Sequence, residues 1–139
     1  MISGGTSSSF KLELLEGIHN FLVDQFFMAL YTSGANLSVG TTAYVTEGET
    51  VGPGYVAGGQ VMRNPQVLGP VALTAYVTWD DPVWPLSTLI ARGALIYNQT
   101  KQQRAVAVLD FVTDQASNSG EFHVKLPPPG ASTALIRIL

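Results

Sequence analysis

The order of apolar and polar positions divides this chain into short stretches of strand-like alternation separated by turn residues. The strongest stretch is Leu89 to Phe111. Leu89, Ala91, Leu95 and Tyr97 alternate with Ile90, Arg92, Ala94 and Ile96, and after the polar run Asn98 to Gln103 the order resumes. There, Ala105, Ala107, Leu109 and Phe111 alternate with Val106 and Val108. A period of two on each side of a polar loop predicts a β-hairpin. Both phases are largely apolar, so both faces are expected to meet protein. One small domain has one interior, and the second face therefore suggests a partner subunit.

The same period recurs at Phe26 to Tyr31, at Val71 to Trp79, at Glu121 to Leu126 and at Ala134 to Leu139. Between Ser38 and Pro70, glycine, threonine and proline interrupt every run. Gly52-Pro53-Gly54 and Gly58-Gly59 leave room only for short strands near Tyr55 to Met62. Asp80-Asp81-Pro82 reads as a turn, and Thr113 to Gly120 as a polar loop. At the start, Met1 to Ser9 is rich in glycine and serine and predicts a flexible arm. Ser8 or Ser9 then caps a short helix from Phe10 to Glu16, stopped by Gly17, with Leu12 and Leu15 inward and Lys11 and Glu16 outward. Short strands with one helix predict an all-β chain: a single antiparallel β-sandwich or jelly-roll-like domain over 10–139, preceded by the arm 1–9.

Composition sharpens this picture. Only 12% of the 139 residues are charged, about half the usual share, which suggests surface buried against neighbours and self-association as a dimer or trimer. The seven basic residues are scattered singly, so no direct nucleic-acid contact is expected. Every apolar run is too short for a membrane span, and the N-terminus lacks the pattern of a signal peptide. No membrane association is expected, and synthesis in the cytoplasm is the default. There is no cysteine, which removes disulfides, thiolate metal sites and cysteine nucleophiles. The sequons at Asn36 and Asn98 read as chance in a chain without a secretion signal.

Candidate chemistry is sparse. His19 and His123 belong to no ligand motif and read as turn or surface residues. Asp80 and Asp81, flanked by Trp79 and Trp84, are the best carboxylate pair, with aromatic neighbours suited to stacking on a sugar. Adjacent strand residues face opposite ways, however, and Asp-Asp-Pro commonly opens a turn. The glycine-rich stretches lack the Lys-Ser/Thr of a phosphate loop, and no G-x-S-x-G elbow occurs. No enzyme, metal or cofactor is expected. The candidate partner contacts are Phe10, Leu12, Trp79, Asp80, Asp81 and Trp84.

Several segments, taken in order, resemble a family of small virion proteins of tailed bacteriophages. They are FKLELLEG (Phe10 to Gly17), FMALYTS (Phe27 to Ser33), TTAY (Thr41 to Tyr44), GPGYVAGG (Gly52 to Gly59), ARGALIYN (Ala91 to Asn98), RAVAVLDF (Arg104 to Phe111) and ALIRI (Ala134 to Ile138). DDPVWP (Asp80 to Pro85) does not match the family pattern. The resemblance implies a β-rich capsid decoration, or cement, protein on the exterior of the virion, with the major capsid protein as partner and no catalytic residues. A tail or head–tail connector component, and a receptor- or carbohydrate-binding module built on Trp79 to Trp84, are the alternatives.

Overall fold

A computed structural model describes residues 1–138. In chain order the elements are β1 (Gly5–Thr6), α1 (Ser8–Leu15), β2 (Phe26–Tyr31), β3 (Gln60–Val61), β4 (Gln66–Val71) and β5 (Thr74–Thr78). They continue with β6 (Val83–Ser87), β7 (Ile90–Asn98), β8 (Arg104–Ala116), β9 (Gly120–His123) and β10 (Ile136–Ile138). The expected all-β, sandwich-like class is what the chain forms: 43% strand and 6% helix, in antiparallel sheets. A central sheet runs β1-β8-β7-β2-β3, a second runs β10-β5-β4, and β6 pairs with β9.

The central sheet is apolar on both faces because the chain covers both itself. On one side, Phe26, Met28 and Leu30 of β2, Ala94 and Ile96 of β7 and Val106 of β8 pack against Phe10 of α1 and against Val77, Trp84, Phe122 and Ile136 from the smaller sheets. On the other side, Ala29, Tyr31, Leu95, Tyr97, Ala105 and Val108 form a second core with Ile2, Ala35 and Leu37. The second apolar face of the hairpin therefore needs no partner subunit. A bulge also breaks the strict alternation of β8. Ile96 pairs with Ala107 and Tyr97 with Ala105, so Val106 is an extra residue that exchanges the two phases.

The N-terminal segment 1–9, expected as a free arm, is built into that second core. The Met1 ammonium donates to the Ala35 carbonyl at 2.7 Å, Ser3 N–H donates to Leu37 O, and Gly5–Thr6 pair with Val108 and Ala107. Glycine and serine here serve close packing: a Cβ on Gly5 would lie 2.7 Å from Val39. Helix α1 ends as the sequence indicated. Gly17 adopts φ +73, and Gly17 N–H and Ile18 N–H donate to Leu14 O and Glu13 O, the Schellman arrangement. Lys11 and Glu16 face outward as expected, but the inward positions differ. Phe10 and Glu13 are buried, whereas Leu12 and Leu15 are exposed.

Other departures have local causes. Val71 to Trp79 is not one strand, because the chain reverses at Ala72 and Leu73, both at positive φ, with Val71 paired to Thr74. That is the geometry of a two-residue hairpin turn normally marked by Asn-Gly. Here the turn residues are apolar and the alternation runs straight through them. Strand β6 carries Pro85 and was hidden by it; the strand pairs on one side only, where proline is tolerated. Strand β8 continues to Ala116 through a kink at Val112, φ +72. The strand expected over Ala134 to Leu139 is observed at Ile136–Ile138, and Leu139 lies outside the described residues.

Candidate functional site

The sequence-nominated residues do not converge. Phe10 is buried between the rings of His19 and Phe21, and Leu12 faces solvent on the outer side of α1. Trp79 fills the core against Phe21 and Phe26; its indole N–H finds no acceptor. Trp84 fills a separate part of the same core against Tyr55 and Phe122. Neither indole offers a face to a sugar, which removes the stacking platforms of a carbohydrate module. Asp80 Oδ1 accepts from the Asn64 amide at 3.3 Å. Asp81 accepts from Leu126 N–H at 2.9 Å and lies 2.9 Å from His123 Nε2. Burial pushes the Asp81 carboxyl up, but the Leu126 and His123 hydrogen bonds outweigh it and hold the group below the usual carboxylate range. The two carboxylates thus act separately in fastening the turn before β6.

Two polar clusters were not foreseen. The first surrounds His19, which is buried rather than in a surface turn. Asn98 Nδ2 donates to Asp24 Oδ2 at 2.9 Å, and its Oδ1 accepts from Lys101 N–H at 3.1 Å. The amide is thereby oriented, and its second N–H points at His19 Nδ1, 3.0 Å away. His19 Nδ1 is then the acceptor and Nε2–H donates to Glu13 Oε1 at 2.8 Å. Arg104 Nη1 donates to Glu13 Oε2 at 2.9 Å, and Lys101 Nζ donates to Asp24 and to Ile18 O. Two carboxylates and two cations close the set around the His19 imidazole, binding α1 and the turn after it to the β7–β8 hairpin. Burial raises the Asp24 carboxyl, but the Asn98, Asn20 and Lys101 hydrogen bonds and the Lys101 charge more than reverse this and lower it. Asn98 is completely buried, so its sequon is closed to a glycan.

The second cluster is a carboxylate held by tyrosines. Glu49 accepts from Tyr44 OH at 2.6 Å, from Tyr55 OH, and from Gly58 N–H at 2.7 Å. Tyr97 OH donates to Gly58 O and Tyr31 OH to Val45 O. Burial first, and then the Glu49 charge, raises the phenols of Tyr31 and Tyr97, the latter to about 12. Burial, the Glu49 hydrogen bond and its charge raise those of Tyr44 and Tyr55. The cluster clamps the GPGYVAGG loop onto β2. A Cβ on Gly59, φ +82, would stand 1.7 Å from Met28 O. Tyrosines scattered from 31 to 97 carried no sequence signal for this, because only the fold gathers them.

What remains is surface. An open cleft of about 430 Å³ is lined by Phe111, Gln115, Glu121, His123 and Lys125, and one of about 280 Å³ runs along Trp79, Leu126 and Pro127 to Pro129. Among the described residues no group of three or more His, Asp or Glu is placed to hold a metal ion. The more distinctive feature is the β4–β5 hairpin. Every residue of β4 is exposed, among them Val67, Leu68 and Val71, and Leu73 at the tip is 92% exposed. No charged residue occurs from Asn64 to Trp79. Comparison with known proteins gives no match to a family model, a curated protein or a solved structure.

Proposed function

We propose that this chain is a non-enzymatic structural protein of a tailed-phage virion, attached to the outside of the capsid as a decoration protein, with the major capsid protein as its partner. The observation that carries the reading is Leu73. A leucine in the left-handed region strains its backbone, and a leucine in water at a hairpin tip contributes nothing to the fold. Asn-Gly would form this turn at lower cost. An uncharged hairpin ending in a strained, exposed leucine suits insertion into another protein's surface. The ordered resemblance to phage virion proteins supplies the identity of that other protein.

The mechanism follows from mass action. A shell strained by packaged DNA is stabilised by a subunit that binds only its assembled form, and repetition over the lattice multiplies weak contacts into avidity. The segments that carry the resemblance form α1, β2, β7, β8, β10 and the loops laid on them. They are framework, and the β4–β5 hairpin lies outside them and is free to suit one particular shell. The experiment is a stained-gel or mass-spectrometric copy count on purified virions. A decoration protein is present at on the order of hundreds of copies per particle. A few copies would move the chain to the tail or the head–tail connector, and none would end the virion reading.

A further inference from the structure

We propose that the outer face of α1 is a two-fold interface with a second copy of this chain. The helix is inverted relative to its composition. It buries Glu13 and exposes Leu12 at 61% and Leu15 at 89%. It cannot roll over to hide these leucines, because Glu13 is fixed from within by Arg104 at 2.9 Å and by His19 at 2.8 Å. Lys11, Leu12, Leu15 and Glu16 are all exposed, and at 100° per residue they occupy a single arc of about 140°. That arc is an apolar pair with a cation before it and an anion after it.

Such an order is complementary to itself. If two copies of α1 lie side by side and parallel about a two-fold axis running along them, Leu12 and Leu15 meet their own equivalents at the axis. Lys11, on one flank of that seam, meets Glu16 on the facing flank of the second copy. The Lys11–Glu16 contact is then repeated by symmetry. This is the requirement of an isologous dimer, and an antiparallel arrangement would set Lys11 beside Lys11 and Glu16 beside Glu16 of the second copy. The turn that follows the helix also exposes Leu22 and Val23. The inference rests on the helix alone and is independent of the capsid reading.

The charge order supplies the test. Sedimentation of the full chain from about 1 to 200 µM measures dimerisation, and far-UV circular dichroism checks that each variant folds. Lys11→Glu or Glu16→Lys alone should weaken the dimer about tenfold, since each sets two like-charged pairs across the axis. The double variant Lys11→Glu/Glu16→Lys should recover wild-type affinity. Because the chain has no cysteine, a Leu12→Cys/Leu15→Cys variant should also give disulfide-linked dimers on mild oxidation. A wild-type chain that stays monomeric throughout, single variants that dimerise as tightly as wild type, or a double variant no better than the singles would overturn the interface.

Discussion

Glu13 occupies a place that no reading of polarity along the chain assigns to it. With leucines at 12, 14 and 15, the simplest helix turns the acid outward, and only Arg104 and His19, distant in sequence, make the inward choice stable. Glu13→Ala should lower stability by about 2 kcal/mol, because His19 loses its buried acceptor. The exposed Glu47→Ala should stay within about 0.5 kcal/mol; urea unfolding measures both. Leu73 inverts that relation. Ala72→Asn with Leu73→Gly should raise stability by about 1 kcal/mol by relieving the positive-φ strain, yet weaken attachment to shells. Titration gives a further check. Asp24 and Asp81 are lowered relative to the unfolded chain, so their contribution is complete above the ordinary carboxylate pKa of about 4 and is lost as pH falls below it through the lowered folded values. The Glu49-linked tyrosines are raised, so theirs is complete below about pH 10 and is lost as pH rises beyond it. The unfolding midpoint should therefore be broad across neutral pH and fall on both sides, with the alkaline fall following tyrosinate absorbance.

At the level of elements, strands with a polar loop between them were legible, and elements fixed by tertiary contact were not. The β7–β8 pairing and β2 follow directly from their alternation, and Gly17 marked the helix end. The bulge at Val106, the turn at Ala72-Leu73 and the pairing of Gly5–Thr6 with β8 carry no local signal, because partners far along the chain decide them. The N-terminal segment makes the difference measurable. A disordered arm could be removed without cost, whereas deleting Met1 to Thr6 should cost about 3 kcal/mol, through Ile2 burial and the lost β1 hydrogen bonds. An unchanged melting temperature would contradict the docked segment. The GPGYVAGG loop offers a second check. Gly59→Ala, which drives a Cβ into Met28 O at a positive φ, should cost about 3 kcal/mol or prevent folding. Gly120→Ala, with nothing nearer than 3.6 Å, should be nearly neutral in the same unfolding assay.

For the whole molecule, low charge and a two-sided apolar hairpin point in different directions once the fold is known. The hairpin's second face is filled by the chain's own first residues and the loop around Ala35 and Leu37. What stays uncovered and open to a partner is the β4–β5 hairpin and the outer face of α1. Of the nominated contact residues, Leu12 is available to a partner, while Phe10, Trp79 and Trp84 are committed to the core. Large aromatics look like binding residues and core residues alike in a sequence, and burial alone separates them. The direct test of the capsid assignment is a density map of the virion. The account predicts β-rich density of this chain on the outer surface of the shell, repeated at equivalent lattice positions, with the β4–β5 hairpin seated in the capsid protein. A shell without that density, or the chain found only in the tail, would contradict it.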